Sequence, residues 1–446
     1  MKKDKFTAKF REYARKLSPQ QGERDLIVKI YQSFNDIFGV NNCIQIGSYP
    51  RHTAITPVKD LDILYFLGDW DENGHNPLEA LQMLYSKLTS SYKNPTSYST
   101  KVSLQTHSVT ICYLQGNDEI ISIDIVPAYH FSKNEFNDDT YKVPEVVAIN
   151  HGQKRSEYYQ SLVQQHKDMS WIISDPKGYI RVASELDKST NGEFRKSVKI
   201  IKKWRFNLEE ADKELKLKSF HLEQVVTKYF QQNPNVEIFD AVFKFFYELP
   251  KMIDSPDIIK DRANDEKFID DYLKNFTDEQ KTKIKSARDG FLVKLENCKE
   301  STSIDTLLAI NFYCRSASEQ FLFDDNVKTF IENELSFKID GFVEPMTSYS
   351  SGWLSQTPQL QKGLTRGLDK VRKIKFSIRS NNTNATDFRW KVKNDNNCAQ
   401  PRGEITPNQT KNNPESTEYA GDHYVECYAI NNTNCIAKHR IQVKII

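Results

Sequence analysis

No stretch of this chain approaches the ~18 consecutive apolar residues that a membrane-spanning helix needs. Behind the charged start Met1-Lys-Lys-Asp-Lys-Phe6 no apolar segment follows, so the expectation is a cytoplasmic location without a signal peptide. The Asn-x-Thr triplets, such as Asn431-Asn432-Thr433, then carry no meaning for glycosylation. Cysteine is scarce: seven residues, an odd number with no C-x-x-C pair, which fits a reducing compartment rather than a disulfide framework. Cys398, Cys427 and Cys435 with His423 and His439 match no zinc-finger spacing, so no structural zinc is expected. Charge of one sign is lacking too. With 62 Lys and Arg against 60 Asp and Glu, the net charge of +2 excludes a generally basic, DNA-coating protein. What remains is a chain of 446 residues, 12% aromatic, long enough for a large core and two or three domains.

One stretch organises the rest. Ile46-Gly47-Ser48 reads as the end of a strand, and Lys59-Asp60-Leu61-Asp62-Ile63-Leu64-Tyr65-Phe66-Leu67 as the next strand. Side chains alternate along a strand, so Asp60 and Asp62 share a face while Leu61, Ile63 and Tyr65 take the core side. Two adjacent carboxylates repel unless a cation lies between them. Hard oxygen ligands of this kind suit Mg²⁺ (or Mn²⁺), which takes one or two carboxylates plus substrate phosphates. The Gly47-Ser48 turn supplies a hydroxyl and backbone N–H groups on which a phosphate can rest.

Either pattern alone is common; the third carboxylate gives them weight. In Glu119-Ile-Ile-Ser-Ile-Asp-Ile-Val-Pro-Ala128, the residues Ile121, Ile123 and Ile125 form one face and Asp124 the other. An acid in so apolar a strand calls for a partner. Paired beside the Asp60 strand, it would bring three acids together for metal-assisted in-line displacement, with Asp124 also taking a proton from the attacking hydroxyl.

Gly47-Ser48, Asp60-x-Asp62 and Asp124-Ile-Val-Pro127, in that order, resemble the polymerase-beta-type nucleotidyltransferases. More narrowly they are similar to the branch of oligoadenylate synthetases, animal cyclic GMP-AMP synthase and the bacterial cGAS/DncV-like enzymes (CD-NTases). Val198-Lys-Ile-Ile-Lys-Lys-Trp204 resembles that family's helix with a phosphate-contacting lysine two places before a tryptophan, here Lys202. Lys218-Ser-Phe-His-Leu-Glu223 resembles the next helix start, whose serine touches the triphosphate, here Ser219. On a helical wheel Phe194, Val198, Ile200, Ile201 and Trp204 make an apolar stripe with Lys202 at its border, half-sheltered and able to aim at a fixed phosphate. Arg195, Lys196, Lys199 and Lys203 lie clear of the stripe and read as a solvated face. His221 reads as a core-edge histidine rather than a base or ligand.

The expected fold is α+β: a mixed nucleotidyltransferase sheet, a helical lobe and a small all-β, sandwich-like C-terminal domain. The boundaries are placed at 1–220 for the catalytic core, 221–340 for the helical lobe, 341–372 for a Gly- and Pro-marked linker and 373–446 for the β-rich module. Residues 1–39 read as two helices, 130–170 as a long polar connection, and Phe268–Phe276 and Leu307–Phe323 as helices. Short strands are expected at Lys375–Ile378, Phe388–Lys393, Tyr424–Ile430, Asn434–Ala437 and Arg440–Ile446. Trp390-Lys-Val-Lys-Asn394, Arg402-Gly403 and the run Glu415 to Cys427 resemble the adenylyl/guanylyl-cyclase and SMODS C-terminal sensor domain. That resemblance implies a nucleotide ligand, for which Arg402, Glu415, Tyr419 and His423 are the candidate contacts; an internal charge network is the other reading of the same residues.

The function the resemblance implies is Mg²⁺-dependent conversion of nucleoside triphosphates (ATP- or GTP-like, or deoxy) into a cyclic di- or trinucleotide or short oligonucleotide. The product would signal to a partner effector in bacterial anti-phage defence. Gly47, Ser48, Lys202 and Ser219 would hold the triphosphate, Asp60, Asp62 and Asp124 the metal. Alternatives are template-independent synthesis of linear chains, an inactive nucleotide sensor, and modification of tRNA or a partner protein.

Overall fold

The alternation of Leu61, Ile63 and Tyr65 with Asp60, Asp62 and Leu64 makes a strand that is dry on one side, and the sheet is built around it. The structure, a computed structural model, describes residues 2–146, 169–316, 318–331, 335–365, 371–407 and 414–446. Helices α1 (Lys2–Lys16) and α2 (Gln21–Phe38) come first. Strands β1 (Cys43–Ile46) and β2 (Asp60–Phe66), helix α3 (Pro77–Ser91) and strands β3 (Ser99–Leu104), β4 (Val109–Gln115), β5 (Asp118–Lys133), β6 (Asp139–Val146) and β7 (Met169–Ser174) follow. They form a seven-stranded mixed sheet in the order β1-β2-β5-β4-β3, with β6 on β5 and β7 on β6. Strands β2 and β5 are parallel, in a register that sets Asp60 beside Ser122 and Asp62 beside Asp124.

The dry face of this sheet packs Leu61, Ile63, Ile111, Ile123 and Ile125 against Ile27, Ile30 and Phe34 of α2 and Leu81 and Leu84 of α3. Asn76 caps α3, accepting the Leu78 N–H, and Pro77 opens it. The region read as a polar connection differs from expectation. Strand β5 runs on to Lys133 and pairs with β6, and β6 pairs with β7. Tyr141, Val143 and Ile172 supply an apolar face that the polar average composition conceals. Residues 147–168 of that connection lie outside the described residues.

Helices α4 (Pro176–Ser189), α5 (Glu193–Ala211), α6 (Ser219–Gln232), α7 (Ile238–Asp254) and α8 (Asp278–Asn297) come next. The helix expected at Phe268–Phe276 is only a bridge and a short turn of 3₁₀ helix at Asp271–Asn275. The Asp270 carboxylate accepts the N–H groups of Ile258 and Ile259, tying that segment across rather than along. The helix expected at Leu307–Phe323 shrinks to α9 (Ile304–Leu308). A Cβ on Gly290 would come within 1.9 Å of the Asn311 carbonyl oxygen, so this chain lies against α8 too closely to coil.

Strands β8 (Lys328–Thr329), β9 (Phe337–Val343) and β10 (Gly352–Trp353), helix α10 (Pro358–Lys362), and β11 (Lys373–Asn381), β12 (Asp387–Lys393), β13 (Ile405–Pro407), β14 (Glu415–Ser416), β15 (Gly421–Asn431) and β16 (Asn434–Ile445) complete the chain. They make two sheets, β10-β9-β11-β14 and β13-β12-β15-β16-β8. Ile339, Val343, Ile374 and Phe376 of the first meet Trp390, Val392, Val425, Cys427 and Val443 of the second in one core. The two short strands expected after residue 433 are one long strand, β16. The stretch read as a linker holds β10 and α10, and its Leu354, Leu360 and Leu364 belong to the sandwich core, so its glycines and prolines mark tight turns. The chain divides into two compact units, Phe10–Val242 with Lys251–Thr277, and Met1–Lys9 with Phe243–Pro250 and Asp278–Ile446.

Candidate active site

Parallel neighbours point the same way, so Asp62 and Asp124 stand side by side on the wet face, with Asp60 two residues along the same strand. The backbone turns at Gly47 with φ +74°, and a Cβ there would lie 1.9 Å from Asp62 Oδ2. Only glycine lets the turn lie flat against that carboxylate. Burial, then the charges of Asp60 and Asp124, push Asp62 up to about 7. Asp60 is raised as well, chiefly by burial and further by Asp124, against the opposing pull of Lys202. Antiparallel pairing puts Thr110 opposite Asp124, and the Thr110 hydroxyl donates to Asp124 Oδ1. Gln105 Nε2 donates to Thr110 Oγ1 (2.7 Å), which commits the hydroxyl proton to the carboxylate.

A cavity of about 510 Å³ opens here, lined by Gly47, Ser48, Arg51, Asp60, Asp62, Lys202 and Ser219 among others. Its outer wall is the 54–59 segment and the Lys203–Glu209 part of α5. Glu23 of α2 pins that segment: Oε1 accepts the Val58 N–H and Oε2 the Thr56 hydroxyl, both at 2.8 Å. Glu23 Oε2 also accepts the Gln20 N–H that starts α2 (2.7 Å).

Lys202 is more deeply placed than a border position suggests, at 5% exposure. Its three N–H groups reach the Thr53 carbonyl (3.2 Å), Thr53 Oγ1 (3.1 Å) and Glu223 Oε2 (2.8 Å). Burial lowers its pKa and the Glu223 charge opposes that. Glu223 also takes Arg51 Nε at 2.6 Å and the Thr53 hydroxyl at 2.8 Å. Burial works against its ionised form, yet Arg51 and Lys202 hold Glu223 down to about 2. Arg51 further lies over the Phe220 ring, 5.2 Å from its centroid. Arg195, expected on a solvated face, donates to the Arg51 carbonyl (2.8 Å) and pairs with Asp187 (3.0 Å), and Lys199 donates to Ser18 Oγ (2.7 Å). His221 is buried, bonded to the Tyr272 hydroxyl (3.1 Å), and driven down to about 4 by burial.

Sequence reasoning assigned no role to Arg51, Thr53, Glu223, Thr110 or Gln105. One signal was available: Glu223 lies one turn after Ser219 on a helix face shared with Phe220, Val226 and Phe230, where a carboxylate needs a cation. Thr110 had none, because nothing in a β-strand sequence announces which threonine will face an acid across the ladder.

In the sandwich, Arg402, Glu415, Tyr419 and His423 line one cavity of about 90 Å³. Arg402 Nη1 pairs with Glu415 Oε2 at 3.2 Å. His423 Nδ1 accepts the Asp395 N–H (3.1 Å) and Nε2 faces the Tyr419 carbonyl (2.9 Å), so the ring is held as the Nε2–H tautomer.

Among the described residues no group of three or more His, Cys, Asp or Glu side chains is closed up enough to hold a metal ion unaided, and no helix is long and apolar enough to cross a membrane. The three acids share a face without forming a cage. Such an open set, with one carboxyl pushed up by burial and its neighbours, fits an ion that completes its shell with phosphate oxygens and water.

Residues 323–446 match the adenylyl/guanylyl and SMODS C-terminal sensor domain. A probable cyclic nucleotide synthase of Bacillus cereus (strain VD146) is 22% identical over 227 residues, 46% of this chain, and the chain spans 60% of that relative's length. Among solved structures, the CdnC of E. coli MS115-1 with ATP matches at TM-score 0.46 and 16% identity, over 69% of this chain and 98% of CdnC. The Bradyrhizobium diazoefficiens CD-NTase CdnG with GTP matches at TM-score 0.46 and 12% identity, over 68% and 96%. In sequence order, then, a seven-stranded mixed sheet bearing the three acids is followed by a C-terminal region similar to the adenylyl/guanylyl and SMODS sensor domain.

Proposed function

We propose that this chain is a nucleotidyltransferase that converts nucleoside triphosphates into a cyclic di- or trinucleotide or a short oligonucleotide, releasing pyrophosphate. The observation that carries the reading is the alignment of Asp60, Asp62 and Asp124 on one face of β2 and β5, against the Gly47-Ser48 turn and a cavity of about 510 Å³. Asp60 and Asp62, with Asp124, would hold Mg²⁺, which when bound neutralises phosphate charge as the leaving group departs. Ser48 and Ser219 offer hydroxyls to the triphosphate, and Arg51 and Lys202 offset its charge. The acceptor hydroxyl oxygen attacks the α-phosphorus, the bond to the β-phosphate bridging oxygen breaks, and Asp124 takes the hydroxyl proton. Thr110 occupies Oδ1 of Asp124, leaving Oδ2 for that transfer. The sandwich cavity of Arg402, Glu415, Tyr419 and His423 is the proposed sensor site, and the product is proposed to act through an effector protein in anti-phage defence.

The test is incubation of the purified chain with mixed ribo- and deoxynucleoside triphosphates and Mg²⁺ or Mn²⁺. Pyrophosphate release and a nuclease-resistant cyclic product are expected, and both vanish in the Asp60→Ala, Asp62→Ala variant. A ladder of linear products would reassign the reaction; unchanged release in the variant would end the proposal.

A further inference from the structure

Behind the cavity lies a fourth carboxylate, set apart from the three acids of the sheet. Glu223 is 1% exposed, and its single carboxylate, carried on α6 four residues on from Ser219, is shared by groups from two other segments: Arg51 and Thr53 of the turn after Ser48, and Lys202 of α5. Arg51, Lys202 and Ser219 line the cavity. We propose that Glu223 is a positioning residue for the triphosphate tail: it clamps Arg51 and Lys202 so that both cations and both serine hydroxyls present one rigid anion-binding wall. The inference rests on the nucleotidyl-transfer reading.

Three observations point this way. Two cations share one buried anion, so the clamp keeps one net positive charge at the cavity wall rather than cancelling it. The Lys202 ammonium is fully bonded, which fixes it in place; a lysine is otherwise a mobile point charge on a long stem. Thr53 bridges the two halves, donating to Glu223 while accepting from Lys202. Without Glu223 the ammonium would lose its charge more readily, since burial already disfavours the charged form and the Glu223 carboxylate does most to oppose that.

Inorganic tripolyphosphate with Mg²⁺, titrated into the full-length chain by calorimetry, isolates the tail subsite from base choice. Glu223→Gln is expected to weaken its binding about tenfold and to raise the KM for triphosphate substrate more than it lowers kcat. Lys202→Met should weaken binding similarly, and the double variant should lose clearly less than the sum of the two, because Glu223 acts in part through Lys202. A purely structural role moves the melting temperature and leaves the two effects additive. Should Glu223→Gln fail to fold, Thr53→Val cuts the same bridge more mildly, with a loss of about threefold expected. Unchanged affinity in these variants, or additive losses, overturns the clamp while pyrophosphate release by the native chain keeps the parent reading. A native chain that binds tripolyphosphate but releases no pyrophosphate from any mixture ends the parent reading instead.

Discussion

Lys202 with Glu223 and Lys391 with Glu319 are both deeply buried lysine–glutamate pairs, and the first sits at a cavity of working size. Lys202 and Glu223, 2.8 Å apart, stand at the wall of the 510 Å³ cavity. Lys391 and Glu319, 3.1 Å apart with side chains 2% and 4% exposed, are sealed in the other unit, where the Lys391 ammonium lies 4.1 Å from the centroid of the Phe321 ring. Desolvation makes either pair a poor source of net stability, though breaking one by removing a single partner is costly. A buried ion pair is therefore no signature of a site by itself. Further carboxylates stand near both, and what separates the regions is an excess gathered on one face. Glu296 and Glu426 near Lys391 are faced by Lys438 and Arg440, whereas Asp60, Asp62 and Asp124 align together, and burial with its two neighbours pushes Asp62 up to about 7.

Removing that excess should have the largest effect. Asp60→Ala with Asp62→Ala is expected to reduce pyrophosphate release at least about a thousandfold, read by a coupled phosphate assay. Gly47→Ala should follow, at about a hundredfold, because its Cβ would have to displace the Asp62 carboxylate from a turn with φ +74°. Thr110→Val, which frees Asp124 Oδ1, should lower kcat about tenfold with little change in KM. Glu319→Gln should leave release within about twofold while lowering stability by about 3 kcal/mol in thermal denaturation. An activity loss there as large as that of Thr110→Val would break the comparison.

The pH dependence of stability sharpens it further. Glu223 ionises near 2 when folded and near its ordinary value when unfolded. A depressed carboxylate contributes stability above the unfolded pKa, and that contribution, about 3 kcal/mol, is lost as pH falls from about 4.5 towards 2. Glu223→Gln should flatten the stability curve across that window.

Much of the candidate site's geometry was legible because its signals are local. Period-two alternation fixed which face Asp60, Asp62 and Asp124 share with their strands, and one pairing, β2 beside β5, then brought them together. The partners of Lys202 were not legible, since they come from residue 53 and residue 223 and meet only when α5 and α6 have packed. Average composition misled in two places. Polar residues 130–146 hide a strand pair whose inner face is only a few residues wide, and Gly- and Pro-rich 341–364 hides core leucines between turns.

Glu23 gives the amino-terminal helices a standing that their sequence does not advertise. By gripping Thr56 and Val58 it anchors the segment that leads directly into Asp60. Loosening that grip at Glu23 alone would therefore shift the approach to Asp60 from a helix with no place in the cavity wall, and a binder directed at the start of α2 would reach the candidate site without ever entering it.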